Sequence, residues 1–226
     1  MNSVTLVAVN AGLSEPSSTR MLVDRLTDDA VAVLQSHGLS VDVRVIDLRD
    51  LAVDVGRSLA TGFAGGAAGD AVRAVQDADA LIVATPVFNA SYSGLFKSFF
   101  DLVDVDTMAG KPVLIAATGG SPRHSMVLDH ALRPLFSYLR TVVVPTGVYA
   151  ASEDWAGTSG DTATLTDRIH RAATQLAALL TVGSSARAAT PQTSEPDHAE
   201  QRAHAGEEAG IANFARLLAG GGGGGL

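Results

Sequence analysis

The chain contains no cysteine, and aromatic residues fill only 5% of its 226 positions. Without cysteine there is no disulfide framework, thiolate nucleophile, Cys-ligated zinc or iron–sulfur cluster. A basic balance is missing too: 16 Lys and Arg stand against 24 Asp and Glu, a formal net charge of -8. Broad nucleic-acid surfaces need clustered cations, so that class is set aside as well. No apolar run approaches the roughly 18–20 residues of a membrane helix. Met1-Asn2-Ser3 leads directly into Val4–Val9, with no basic region ahead of it. The expectation is a soluble cytoplasmic protein.

What is present is a 46% hydrophobic chain of a length that suits one α/β domain. Apolar runs rich in Val, Ile and Leu occur at Val4–Val9, Val41–Ile46, Ala80–Ala84, Val113–Ala117 and Val142–Val144. Runs apolar on both faces read as buried parallel strands. Helical spacing fills the intervals. It runs at about Ser18–His37 with Gly38 as a stop, then Ala71–Ala78, Gly94–Val103, Ser125–Leu139 and Thr162–Leu180. Strand and helix alternating five times predict a three-layer sandwich. A five-stranded parallel sheet in the flavodoxin-like order 2-1-3-4-5 follows from right-handed crossovers. Residues 1–182 form this domain. Residues 183–226 read as a low-complexity linker, a short amphipathic piece at about 211–218 (Ile211, Phe214, Leu217, Leu218) and a run of glycines from Gly220 to Gly225.

Open parallel sheets bind ligands beyond the carboxyl ends of their strands. Three such loops are rich in Ser, Thr, Gly and Asn. The first, Asn10–Arg20, carries Ser14, Ser17, Ser18 and Thr19 into a helix start, where free N–H groups and the dipole favour a phosphate; Arg20 adds a charge. The second, Thr85–Gly94, combines Phe88 and Tyr92 with Asn89 and hydroxyls, a composition suited to a flat ligand. The third, Thr118–His124, has paired glycines that admit close backbone approach. Gly62–Gly69 lacks dinucleotide spacing, Gly110-Lys111 is followed by Pro112 where a P-loop needs Ser or Thr, and the six histidines show no metal-ligand spacing. Ser121, His124 and Asp129 lie on one turn and helix without a nucleophile elbow, so neither a metal site nor a hydrolase triad is expected.

Thr85-Pro86-Val87-Phe88-Asn89-Ala90-Ser91-Tyr92-Ser93-Gly94-Leu95-Phe96-Lys97 resembles the signature loop of the NADPH-dependent FMN reductase family. Ala117-Thr118-Gly119-Gly120-Ser121-Pro122-Arg123-His124 is similar to the corresponding loop of the branch partnered with two-component monooxygenases. The resemblance implies a subunit that binds FMN and reduces it with NADPH or NADH. Ser14, Ser18, Thr19 and Arg20 would hold the phosphate. Pro86, Val87, Phe88, Asn89 and Ser91 would line the ribityl chain and one ring edge. Thr118, Gly119, Gly120 and Ser121 would contact the ring, with His124 beside it. Glu15 must then point outward. His130 falls where this branch has a one-residue helix insertion, a π-bulge position associated with weak flavin retention. Hydride transfer needs orientation more than acid–base chemistry, so no general base is expected.

Arg20, Arg123 and Arg133 remain alternatives for the 2′-phosphate of NADPH. Two other readings stand beside the flavin-releasing reductase: an FMN-retaining quinone or azo reductase, and a flavodoxin-type electron carrier. The helix around Leu95, Phe96, Phe99, Phe100, Leu102 and Val103 is apolar nearly all round. It predicts a homodimer or homotetramer, with burial inside the monomer as the rival.

Overall fold

The computed structural model describes residues 3–156 and 164–189, with side chains as far as Thr181. One compact unit spans Met1–Ser185. Its strands are β1 (Ser3–Asn10), β2 (Ser40–Asp47), β3 (Ala80–Phe88), β4 (Ser91–Tyr92), β5 (Pro112–Gly119), β6 (Val142–Val143) and β7 (Val148–Ala151). The helices are α1 (Ser18–Ser36), α2 (Ala52–Thr61), α3 (Gly66–Asp77), α4 (Gly94–Phe100), α5 (Val105–Met108), α6 (Arg133–Tyr138), α7 (Ser152–Ala156) and α8 (Leu165–Ala189).

The sheet runs β2-β1-β3-β5-β6, all parallel along this path, with β7 also on β5 and β4 folded back on β3. The expected strand order holds, but the described residues form seven strands and not five. Two local causes account for the difference. The fifth apolar run is one edge split in two: Pro112 and Val113 face Val142 and Val143, whereas Ala116 faces Val148. Val144 to Gly147 therefore oppose only Leu114 and Ile115. Pro145 lies in that excess and has no N–H for the ladder. The other addition is β4, the return arm of a hairpin described below.

Alternate residues of the strands face opposite layers. Leu6, Ala8, Ile82, Leu114 and Ala116 meet Leu22, Leu26 and Ala30 of α1 and Leu165, Ile169, Ala172, Ala173 and Leu176 of α8. Val7, Val9, Leu81, Val83, Val113 and Ile115 meet α2, α3, α4 and α6 on the other side. Each fully buried Leu or Ile there contributes about 1.5–3 kcal/mol.

Helix α1 stops as its sequence dictates: Gly38 sits at φ +77°, and Leu39 N–H returns to the Leu34 carbonyl at 3.2 Å. Helix α2 was not anticipated, and α3 begins five residues ahead of its expected start at Ala71. Glycines at 56, 66 and 69 weaken both patterns. The expected helix Ser125–Leu139 is three pieces: a 3₁₀ turn Pro122–Met126, a π-helical turn Leu128–Leu132 and α6. Helix α8 continues past Val182 to Ala189, into the stretch read as linker. The 211–218 segment and the glycine run lie outside the described residues.

Candidate functional site

The carboxyl ends of β1, β3 and β5 bring the three polar loops to one edge of the sheet. At the first, Asn10 is buried, gives its amide N–H to Asp47 Oδ1 at 2.7 Å and takes the Gly12 N–H on Oδ1 at 3.0 Å. The loop is wound so tightly that a Cβ on Gly12 would stand 2.0 Å from Ser17 Oγ. Ser17 caps α1 by accepting from Arg20 N at 3.2 Å, which leaves Ser14 and Ser18 exposed at the helix start. No acidic residue occupies the first turn of α1 to neutralise the positive end of the helix from within. Glu15 points outward and pairs with Arg49 at 3.1 Å.

Arg20 is engaged by two carboxylates. Its guanidinium donates to Asp24 at 2.8 Å and to Asp47 at 2.5 Å. The bond to Asp24, partly offset by burial and reinforced by the charge of Asp47, raises its pKa above the ordinary arginine value. The arginine thus ties α1 to the end of β2. A cavity of about 460 Å³ opens on that flank, lined by Gly12, Ser14, Ser17, Arg20, Asp47 and Arg49 among others.

The second loop is a hairpin. Val87 pairs with Tyr92 and Phe88 with Ser91, leaving Asn89 and Ala90 as a two-residue turn. Both have positive φ, +48° and +63°, the signature of a type I′ turn. Thr85, fully buried, closes the base: its Oγ1 donates to the Pro86 carbonyl and accepts from Ser93 N, both at 3.0 Å. Tyr92 packs towards Phe96, centroids 5.8 Å apart, while Phe88 stays 47% exposed at the tip.

The third loop is joined to the first by a buried bond between the hydroxyls of Thr19 and Thr118, 2.7 Å apart. Gly120 faces open space, with no heavy atom within 4 Å of a would-be Cβ. Ser121 caps the 3₁₀ turn that carries the exposed Arg123, His124 and Met126, the last 61% exposed. His130 lies in the middle of the π-helical turn, and the Arg133 N–H closes it on the Leu128 carbonyl, five residues back. Pro134 follows and has no N–H to continue the regular pattern. Arg133 is committed locally, to Asp129 at 2.8 Å and to the carbonyls of Val144 and Pro145.

Fourteen residues were expected to bind flavin, and all lie on the loops at this edge of the sheet. Thr19 is buried beneath it, joined to Thr118, and Arg20 turns towards β2. Reading by residue type missed Asn10, Asp47 and Thr85, which shape the loops from beneath. Their one signal is polarity at the end of an apolar run. The apolar helix α4 packs within the monomer: Phe96, Phe99 and Phe100 are buried, Phe96 and Phe100 meet the ring of Phe136, and Phe99 meets that of Phe100. The rival to an oligomeric explanation therefore accounts for that pattern.

Residues 4–156 match the family described as NADPH-dependent FMN reductase. The chain is similar to the FMN reductase (NADPH) of Pseudomonas aeruginosa, 43% identical over 150 residues, which make up 66% of this chain and 78% of that one. It is similar also to the NADH-dependent FMN reductase SfnF of Pseudomonas fluorescens, 41% identical over 174 residues, 77% of this chain and 90% of that one. Among solved structures, an oxidoreductase from Corynebacterium diphtheriae superposes with a TM-score of 0.75 at 45% identity, covering 80% of this chain and 99% of the other.

Proposed function

The chain belongs to the NADPH-dependent FMN reductase family, and from that premise we propose that it releases reduced FMN to a separate flavin-dependent monooxygenase. It is an NAD(P)H-dependent FMN reductase; the proposal concerns where the flavin sits and where it goes. The residues fit such a ligand. Exposed hydroxyls sit at the N-terminus of α1, Phe88 and Met126 are exposed on the second and third loops, and Gly120 leaves open space beside it.

In this reading Ser14, Ser18 and the α1 amides hold the phosphate, with Thr19 supporting them through Thr118. Arg20, held by Asp24 and Asp47 at the same cavity, adds its charge to this set. Pro86, Val87, Phe88, Asn89 and Ser91 line the ribityl chain and one ring edge, and Thr118 to Ser121 meet the ring, His124 beside it. When bound, FMN supplies the redox chemistry and takes a hydride from the nicotinamide. The chain's own part would be to bind the phosphate and orient the flavin through these three loops. Of the three arginines weighed for NADPH, Arg20 and Arg133 are engaged by carboxylates and carbonyls, whereas Arg123 is exposed and makes no ion pair among the described residues. Arg123 is the reader of the 2′-phosphate in this scheme.

The observation that carries release over retention is the π-helical turn at His130. Its i→i+5 ladder is an interruption of the helix directly behind the ring loop, a feature frequent at functional sites. Dialysis followed by an FMN titration tests it. The expected result is a colourless protein that binds FMN reversibly, and deletion of His130, which restores a regular helix, tightens binding about tenfold or more. Flavin that survives dialysis of the unaltered protein favours the retaining alternative. We also infer a homo-oligomer, supported now by a different surface: Val53 and Leu59 on α2, with Phe63 just beyond it, stay exposed. Light scattering showing a monomer at micromolar concentration would remove that inference.

A further inference from the structure

The strand β7 was not foreseen, and it carries a tyrosine to the ring loop. Tyr149 faces Ala117 across the β5–β7 ladder and is buried in the core on the α2–α3–α4–α6 side of the sheet. Only its hydroxyl reaches the sheet edge, where it donates to the Ser121 carbonyl at 2.7 Å. The same carbonyl accepts from His124 N at 3.1 Å, so the peptide ahead of Pro122 is held by two donors. Gly119 makes room for this reach: a Cβ there would stand 2.3 Å from Tyr149 Oη and 3.3 Å from Cζ.

The tyrosine is fixed from below as well. Its carbonyl accepts from Arg168 at 3.3 Å, Arg168 pairs with the buried Asp154 at 2.7 Å, and Asp154 accepts the Ala151 N–H at 2.8 Å. Burial, with the charge of Asp154 adding to it, raises the phenol pKa above its usual value, so the hydroxyl stays a donor.

We propose that Tyr149 is a positioning residue for the flavin: its hydroxyl sets the Gly119-Gly120-Ser121 turn in the form that receives the ring. A buried ring on a paired strand is rigid, and one hydrogen bond from it transfers that rigidity to a turn containing two glycines, which would otherwise be the freest part of the site. The glycine at 119 and the tyrosine at 149 are then one device, since either is incompatible with a bulky change in the other.

This inference rests on the assignment of that turn to the flavin ring, so the test carries a separate check of that assignment. FMN affinity is measured by fluorescence titration, and KM for FMN and kcat by NADPH oxidation, in Tyr149→Phe, Gly119→Ala, the double variant, Ser18→Ala and Thr141→Val. Tyr149→Phe is expected to weaken FMN binding about five- to tenfold, with the change falling on KM for FMN more than on kcat. Gly119→Ala weakens it further, and that loss shrinks in the double variant, where the hydroxyl is gone. Thr141→Val removes a comparable hydrogen bond to the Phe136 carbonyl, 2.8 Å long and at the opposite end of the sheet. It is expected to lower the melting temperature without changing FMN affinity. Should Tyr149→Phe prove insoluble, Gly119→Ala addresses the same contact from the other side. Unchanged FMN binding in Tyr149→Phe, or strictly additive losses in the double variant, overturns the role of Tyr149. Unchanged binding in Gly119→Ala and Ser18→Ala together overturns the site assignment itself.

Discussion

Ala90 sits at φ +63° in the turn of the hairpin, a conformation that costs an L-residue roughly 1–2 kcal/mol. Replacing it with glycine removes that strain, but the unfolded chain gains conformational freedom, which takes back about 0.5–1 kcal/mol. The net expectation for Ala90→Gly is a gain of about 0.5–1 kcal/mol, or roughly 1–4 °C in melting temperature for a unit of this size. Asn89, at φ +48°, belongs to a residue type that tolerates this region, so Asn89→Gly should gain little and serves as the internal comparison. Function is expected to move the other way. The turn fixes Phe88 and Ser91 across from each other, and a more mobile turn holds them less well. FMN affinity should fall a few-fold in Ala90→Gly while stability rises. Differential scanning calorimetry of the apoprotein and flavin titration give the two readings. A lower melting temperature in Ala90→Gly would refute the reasoning, because it would mean that the alanine carries no strain to relieve.

Lys111 gives a prediction in pH. Burial lowers its pKa from 10.5 to about 8, against the pull of Asp77 and Asp79, while its ammonium donates to the carbonyls of Val75 and Gln76. Between pH 8 and 10.5 the unfolded chain therefore binds the proton more tightly than the folded one, and stability attributable to this group rises with pH, by up to about 3 kcal/mol. Urea denaturation at pH 7.5 and 10 should show the unaltered protein gaining on Lys111→Met; parallel profiles would contradict it. Arg123→Ala should reduce kcat/KM for NADPH about tenfold, the loss of one exposed charge-assisted contact, and leave NADH within twofold. An equal fall with both nucleotides would exclude Arg123 as the phosphate reader. For the Thr19–Thr118 bond, either single change to Val strands a buried hydroxyl and should cost about 1–3 kcal/mol, whereas the double change should cost less than the sum. Chemical denaturation of the three variants decides it.

The sheet was legible because its strands are buried on both faces, which leaves an apolar run with nothing to alternate against. The same logic failed at the edge. Val142–Val144 reads as one strand, but pairing resumes at Val148 once the four-residue stretch around Pro145, two more than the partner strand supplies, has passed. Helix α2 was invisible for a related reason: Ala52, Val53, Leu59 and Ala60 are exposed, so the apolar residues of that segment do not mark a core face. The polar loops were legible by position, since open parallel sheets bind ligands beyond the carboxyl ends of their strands. Their supports were not. Arg20 carries the right chemistry for a phosphate, yet Asp47 lies 27 residues away in sequence and 2.5 Å away in space. No periodicity announces such a partner. Tyr149 reaches Ser121 in the same way, across 28 residues and one strand pairing.

The interrupted edge at Pro145 also bears on how the molecule keeps company with its own kind. A strand at the border of a sheet offers its backbone to any extended chain that drifts past, and aggregation often begins there. Here the offer is brief: two residues, a proline-bearing excess that shifts the register, then four more. The opposite border, β2, is longer but turns Asp42 and Arg44 outward. Neither margin presents a long, flat apolar template for an intermolecular sheet. Strand-to-strand pairing between molecules is thereby disfavoured at both margins.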